Sequence, residues 1–258
     1  MTAAVRTRGI ETGAKGISVL VIPLTGKGVT RRKLRNSGVG ASGSTFIEFD
    51  DVEVPISHLL GKENQGFQII MSSISPVPCP CSRFLFLVLS PLSDCFGINF
   101  EDFNAERLGL ATQALSLSRV CLQDSYTYSQ TRKTFSKPLL SNQLIRHKIG
   151  LMSSQIASLH SHLESLIYIL KTAPTDTSLP AALSLAKVQA GRTLEFCVRE
   201  AQQIFGGRGY QRGAGKGERV ERISRDVRVL VVGGGSEEIL IDLAVRMGMK
   251  GVMERAKL

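Results

Sequence analysis

Apolar residues recur with a helical period through the second half of the chain. Between residues 145 and 170 they are separated by alternating steps of four and three, which is the seam of a long packed helix. A second seam runs from 183 to 204, and the linker between the two is short, so the helices should be antiparallel neighbours. A shorter seam at 108–122 and a helix that starts near Ser236 complete a predicted four-helix bundle.

The first 66 residues have the sequence pattern of β-strands instead. Apolar runs at 17–22, 45–49 and 52–54 are bounded by Pro, Gly and Asp, a pattern that is typical of a meandering antiparallel sheet. Val5 has no recognisable partner strand, so we expect a sheet that lacks some of its members. The two textures together predict an α+β fold, with the sheet first and an up-and-down helical bundle after it.

Residues 73–100 fit neither pattern. They are apolar, broken by Pro and without a period, and a folded protein rarely exposes such a patch. Since the Pro spacing suits neither a helix nor a central strand, we expect the segment to pack little against either domain. The predicted organisation is a partial β-domain at 1–66, a junction at 67–103 and a helical bundle at 104–251.

Charge and composition indicate which chemical class of partner to expect. The chain has 258 residues with 32 Lys+Arg against 22 Asp+Glu, a formal net charge of +10, which favours an anionic partner. Aromatic residues make up only 6% and no nucleic-acid motif is present, so we expect an anionic cofactor or substrate rather than nucleic acid. The longest apolar stretch, 84–92, is too short to span a bilayer. The five Cys lack metal-ligand spacing, so no metal site is predicted and a reducing compartment is the better expectation.

Several short motifs follow one another in order along the chain. They are Gly66-Phe67, the run Phe-Asn-Ala-Glu-Arg-Leu at 103–108, Gln-Thr-Arg-Lys-Thr-Phe at 130–135, Gln-Ile-Phe-Gly-Gly-Arg-Gly-Tyr at 203–210, Arg225-Asp226 and Gly-Gly-Gly-Ser-Glu-Glu-Ile at 233–239. In order and spacing they resemble the acyl-CoA dehydrogenase family.

The resemblance implies a function. It implies FAD-dependent α,β-desaturation of an acyl-CoA, in a homo-oligomer built as a dimer of dimers, with the first 66 residues forming part of a β-barrel. An acyl-CoA oxidase-like relative and a non-catalytic oligomerising bundle stay open as alternatives. Mitochondrial or peroxisomal localisation is the corresponding expectation, and the electron acceptor is left open.

The resemblance also indicates what this chain lacks. The family's N-terminal helical domain and the first strands of its β-domain have no counterpart, so we expect an N-terminally truncated chain that binds FAD poorly. In the family the Gly-Phe motif leads directly to the Asn-x-Glu-Arg motif, whereas here about 25 residues intervene. We therefore expect 74–98 to be an intron-like insertion.

Glu106 is the predicted catalytic base. Most family members carry the base on the loop before the last helix, but this sequence has Gly234 there. A minority, of the long-chain and isovaleryl type, place it on the first bundle helix, at the position of Glu106. A carboxylate against a dry acyl pocket has a raised pKa that suits a general base. Without the resemblance, a first-turn Glu favoured by the helix dipole is the simpler interpretation.

The remaining site residues are carried over from the family's motifs. Alone, each motif is also explained by an ordinary basic turn, a helix C-cap or a helix N-cap. The resemblance implies that Asn104 and Arg107 contact substrate. The positions that it implies for FAD are Arg132, Thr134, Phe135, Gln143, Gln203, Gly206, Gly207, Ser236 and Glu238.

Overall fold

The computed structural model describes residues 1–73, 101–173, 176–213 and 215–255. It divides into two compact units. The first takes in Met1–Arg35 and the described part of 42–105, and the second takes in Asn36–Ala41 and the chain from Glu106 onward. None of the helices within the described ranges is long and apolar enough to cross a membrane.

The first unit consists of short antiparallel strands and one helix. The sheets have the order β1-β2-β5 and β3-β4, and the strands that the sequence predicts at 17–22 and 45–49 are confirmed. Among the described strands no closed barrel is formed. The elements are β1 (Thr2–Arg6), β2 (Ile17–Val21), β3 (Val29–Lys33), β4 (Thr45–Phe49), β5 (Leu59–Leu60) and α1 (Gly66–Ser73).

Two expectations for this unit were wrong. Val5 does have a partner, because β1 pairs along its whole length with β2 and places Val5 opposite Ser18. The run at 52–54 forms no strand, since it leads into Pro55, which has no N–H to donate and precedes a 3₁₀ turn at Ile56–His58.

The start of α1 depends on a close approach to β2. A Cβ at Gly66 would lie 2.5 Å from the carbonyl carbon of Ser18, so only glycine fits. The Ser18 side chain is fully buried, and its hydroxyl accepts a 2.7 Å hydrogen bond from the Asn64 amide and bonds the Thr7 hydroxyl at 2.7 Å. These bonds satisfy the buried hydroxyl and hold the turn before α1 on the sheet.

The second unit is a helical bundle with its core along α4. Leu183, Ala190 and Leu194 on α4 are at most 1% exposed, and α3, α5 and α6 all pack on this helix. The four helices that the sequence predicts are confirmed. The elements are α2 (Glu101–Thr131), β6 (Lys133–Thr134), β7 (Lys137–Pro138), α3 (Gln143–Thr172), α4 (Leu179–Phe205), α5 (Glu218–Val232) and α6 (Glu237–Arg255).

Side-chain pairs show that α3 and α4 are antiparallel, as the short linker predicts. Lys148 near the start of α3 pairs with Glu200 near the end of α4. Further along α3, His162 Nδ1 lies 2.8 Å from Gln189 Oε1, nearer the start of α4.

A fifth helix, α5, was missed. The sequence between 208 and 228 reads as a basic cluster, because seven of its residues are Lys or Arg. Beneath those charges the buried residues Val220, Ile223, Val227 and Leu230 are spaced three, four and three apart, which is the apolar stripe of a packed helix. The charged residues of the outer face are interspersed with this stripe in the sequence, so the segment was read as a basic cluster and not as a helix.

The predicted domain boundaries at 66 and 104 stay predictions. The insertion that the sequence predicts at 74–98 lies outside the described residues.

Candidate functional site

The loop between α5 and α6 lies directly on the first turns of α2. It consists of three consecutive glycines, and Gly234 and Gly235 have positive φ angles of 68° and 114°. A Cβ at Gly234 would lie 2.9 Å from Leu110 Cδ1 and 3.6 Å from Arg107 Cγ. Glycine therefore lets the loop backbone approach the helix turn that also carries Glu106.

Lys187 holds this loop, and sequence reasoning missed it. Its ammonium lies inside the bundle, with the residue 2% exposed, and Nζ donates to the carbonyls of Val231 at 2.5 Å and Gly235 at 2.7 Å. A signal was available, because Lys187 falls one turn after Leu183 on the buried face of α4. A lysine in an apolar seam is uncommon and indicates a buried polar partner.

Arg107 is the second cation at the loop. It is 7% exposed, and its Nε donates a long hydrogen bond of 3.4 Å to the carbonyl of Gly234. Burial lowers the pKa of the Arg107 guanidinium, and Glu106 opposes that shift. Burial also lowers the pKa of Lys187; Arg107 adds to this shift, whereas Glu106 and Glu237 oppose it.

The two carboxylates near these cations differ in their partners. Glu237 pairs with Arg192, whose hydrogen bond lowers the pKa of the Glu237 carboxyl. Glu106 is exposed and, within the described part of the chain, forms no ion pair. Asn104, one turn before Leu108 on the same helix, is buried. Of these two carboxylates, Glu106 is therefore the one without an ion-pair partner among the described residues.

A separate cavity of about 340 Å³ opens where α2 and α4 end. Arg132 and Lys133 come from the end of α2 and the hairpin after it, whereas Arg208 and Lys216 come from the turn and loop after α4. Tyr128 and Thr131, on the last turns of α2, complete the lining.

An aromatic pair joins the two helix ends that form the cavity. The rings of Tyr128 on α2 and Phe205 on α4 stack with centroids 4.4 Å apart. Gly206 then ends α4 with a φ of 58°. A Cβ at Gly217 would lie 2.2 Å from the Arg208 carbonyl oxygen, so glycine allows the loop to close against this turn. The packing fixes residues that are more than 70 positions apart in the sequence around one cavity.

The cavity is strongly positive. Its four cationic side chains form no ion pair with any carboxylate of the described residues, whereas the neighbouring Arg219 and Arg225 pair with Asp124 and Glu221. Two of the four are guanidinium groups, which bind phosphate oxygens in a bidentate manner. The arrangement is suited to a phosphate or diphosphate group.

The other predicted site residues lie at the ends of the same elements. Phe135 is fully exposed at the tip of the β6–β7 hairpin, with a φ of 49°. Gln143 is exposed at the start of α3, directly after Asn142, which caps this helix through a 2.9 Å bond from the Leu144 amide. Ser236 precedes α6. The remaining placements are Thr134, half-buried on β6; Gln203, Gly206 and Gly207, exposed at the end of α4; and Glu238, exposed at the start of α6.

The structure thus brings Arg132 together with the end of α4, and Arg107, the neighbour of Glu106 in sequence, together with the glycine loop. It leaves Phe135 with its ring in solvent. No group of His, Cys, Asp and Glu in the described ranges is arranged to hold a metal ion.

Comparison with known proteins identifies the family. Residues 96–249 match the model of the acyl-CoA dehydrogenase C-terminal domain. The chain is 42% identical over 248 residues to acyl-CoA dehydrogenase AFT10-1 of Alternaria alternata, covering 94% of this chain and 50% of that protein. It is 33% identical over 253 residues to acyl-CoA dehydrogenase apdG of Emericella nidulans, covering 96% and 50%.

A solved structure supports the same family assignment. A probable acyl-CoA dehydrogenase from Mycobacterium abscessus superposes with a TM-score of 0.74 at 32% identity, covering 95% of this chain and 55% of that one. The chain spans about half the length of the curated relatives that it matches. The resemblance drawn from the motifs is confirmed, and the chain belongs to the acyl-CoA dehydrogenase family.

Proposed function

We propose that the protein to which this chain belongs is an FAD-dependent dehydrogenase that introduces an α,β double bond into an acyl-CoA thioester. In this reaction Glu106 accepts the α-proton, the β-hydrogen leaves as a hydride, and the electron pair of the α C–H bond becomes the new double bond. A bound flavin supplies the hydride acceptor.

The different partners of the two carboxylates beside the glycine loop carry this proposal. Glu237 is held by Arg192, whereas Glu106 forms no ion pair with any described residue and shares its helix turn with Arg107. Gly234 offers no side chain, so the loop itself supplies no base. A substrate that encloses Glu106 would exclude water from the proton transfer, and a positioned carboxylate is a suitable general base.

The chain's residues fit a flavin dinucleotide at the positive cavity. Its volume of about 340 Å³ and its four cations suit a diphosphate. Arg132, Arg208 and Lys216 would hold that group. Thr134, Gln143, Gln203 and the Gly206–Gly207 backbone are proposed for the remainder of that nucleotide. Ser236 and Glu238 are proposed for a separate cofactor molecule at the glycine loop, because most of the length of α2 separates that loop from the cavity.

The exposed hairpin supports a neighbouring subunit as partner. An apolar ring that is 100% exposed at a turn with two positive φ residues is unfavourable in an isolated chain. We propose that Phe135 contacts the nucleotide bound to a second copy within a homo-oligomer, a dimer of dimers. The finer proposals are that Asn104 and Arg107 contact the acyl-CoA, that the first unit is part of a β-barrel, and that the protein is mitochondrial or peroxisomal.

The decisive test is Glu106→Gln. The chain would be joined to the part of the Alternaria relative that it does not match, which is about half of that protein. We expect turnover of an acyl-CoA with an artificial electron acceptor to fall by about 10²–10⁴-fold, because the glutamine keeps the shape but cannot accept the proton. The flavin absorbance of the purified protein should be unchanged.

Glu164→Gln serves as the matched control. Glu164 is an exposed carboxylate on α3 whose partner is His160, so its loss should leave turnover unchanged. Near-normal turnover in Glu106→Gln would overturn the assignment of the base. An inactive parent protein with flavin bound would overturn the dehydrogenase proposal as a whole.

A further inference from the structure

The burial of Lys187 calls for a reason beyond packing. A charged ammonium inside a helical bundle is unfavourable unless its donors are satisfied, and an apolar side chain of the same length would fill the space without that penalty. Lys187 is 2% exposed and sits among Leu183, Ala186 and Ala190 of α4. A buried ammonium at this position points to the groups that it binds.

Those groups are the two ends of the glycine loop. Val231 lies in the last turn of α5, where carbonyls have no partner within the helix, and Gly235 is the last of the three glycines. A cation at this helix end also interacts favourably with the helix dipole. One ammonium thus bridges carbonyls on both sides of Gly233 and Gly234.

The loop has few other means of holding its shape. Three glycines supply no side chain for packing and have the largest conformational freedom of any residues. The Gly233 amide donates to Val229 at 2.8 Å, and Arg107 donates a long bond of 3.4 Å to Gly234. The bonds from Lys187 are shorter, at 2.5 Å and 2.7 Å, and they reach both ends of the loop.

We propose that Lys187 is a positioning residue, which ties the Gly233–Gly235 loop to α4 so that the loop backbone facing Arg107 and Leu110 of α2 keeps one conformation. This inference deepens the proposed dehydrogenase function and rests on it for its catalytic consequence. The anchoring itself is a property of the chain that can be measured without any cofactor.

Amide hydrogen exchange on the 258-residue chain tests the anchoring. In Lys187→Met we expect exchange at 231–236 to accelerate about tenfold or more, while peptides from the middle of α3 keep their wild-type rates. Lys148→Met is the matched control, because it removes a partly buried ammonium that binds Glu200 far along α4. It should leave exchange at 231–236 unchanged. Equal exchange at 231–236 in wild type and Lys187→Met would overturn the anchoring.

Kinetics in the joined protein test the catalytic consequence. Because small displacements of positioning groups reduce turnover strongly, we expect Lys187→Met to lower kcat by about 10–100-fold with a much smaller change in KM and with flavin retained. A purely structural lysine would lower the yield of folded protein but not kcat per bound flavin. Faster loop exchange with an unchanged kcat would overturn the positioning role.

One outcome separates this inference from the proposed function, and a second variant covers a failure to fold. If the joined wild type shows no dehydrogenation yet exchange responds as expected, the function fails and the anchoring stands. If Lys187→Met does not fold, Lys187→Gln, which keeps one donor group, is measured in the same way and should give a smaller acceleration at 231–236. An unchanged rate in that variant would refute the anchoring.

Discussion

Two cationic clusters in the second unit use positive charge in opposite ways. Around the cavity, Arg132 and Arg208 are exposed, and within the described residues no carboxylate pairs with them. At the glycine loop, Lys187 and Arg107 are buried, and both donate to backbone carbonyls at the end of α5 or in the loop that follows it. The first cluster has charge to offer to a ligand, whereas the second uses its charge to hold the protein's own backbone.

The difference predicts which measurements each cluster affects. Exposed charges that have no ion-pair partner contribute little to the free energy of unfolding, because water solvates them in the free protein. Buried charges that bind carbonyls contribute through local order, and removing a partner leaves polar groups unsatisfied. Variants of the cavity should thus change binding, and variants of the loop should change stability and local exchange.

The largest effect is expected for the double variant Arg132→Met, Arg208→Met. With two guanidinium groups lost, affinity of the 258-residue chain for ADP should fall about 100-fold, or about 2.7 kcal/mol, as measured by calorimetry. The free energy of unfolding should change by no more than about 0.5 kcal/mol. Arg246→Met, an exposed arginine on α6, is the control that should change neither quantity. Unchanged ADP binding in the double variant would refute the assignment of the cavity.

The next effect separates the buried loop from the open turn through two glycines. Gly235 has a φ of 114°, and a Cβ there would lie 2.9 Å from Leu240, whereas Gly206 has a φ of 58° and no atom within 4 Å of its Cβ position. Gly235→Ala should therefore lower the free energy of unfolding by about 2 kcal/mol, and Gly206→Ala by about 1 kcal/mol. Urea denaturation measures both. Equal losses would mean that the loop is not tightly packed.

The long helices could be predicted because their apolar seams extend over about six to seven turns. The seam of α3 gave its length and its pairing with α4, and the buried residues Met152, Ile156, Leu159 and Leu163 all belong to it. Glu106 and Arg132 were singled out by their motifs, which resemblance to a family makes specific. Local pattern and motif together account for the bundle and for individual site residues.

The arrangement of the sites could not be predicted in the same way. The cavity depends on the stacking of Tyr128 on Phe205, which brings together chain segments that are more than 70 residues apart. Lys187 has partners 44 and 48 residues away, and both are backbone carbonyls, which leave no trace in the side-chain pattern. Tertiary packing decides such contacts, and a single sequence does not record them.

The smallest effect concerns buried groups that have no countercharge, in contrast to the carbonyl-bound cations of the loop. Burial raises the pKa of the Cys121 and Cys197 thiols from 9.0 to about 12, because the low-dielectric core disfavours the thiolate. The folded state thus keeps its protons where the unfolded chain loses them. The stability that each thiol contributes is complete below about pH 9 and is lost as the pH rises toward 12.

The variant Cys197→Ala isolates the pH-dependent contribution of one buried thiol to stability. Between about pH 8 and about pH 10 the wild type should lose about 1.4 kcal/mol more stability than the variant, measured as the difference between their free energies of unfolding in urea. Lys187 has the opposite sign, since its lowered pKa adds stability as the pH approaches 10.5, but it is present in both proteins and cancels. If the two proteins lose stability in parallel, the Cys197 thiolate is as well solvated in the fold as in the unfolded chain. In that case the cost of burying a charge in this core would be small, and it would not explain why the buried Lys187 ammonium is bound by two backbone carbonyls.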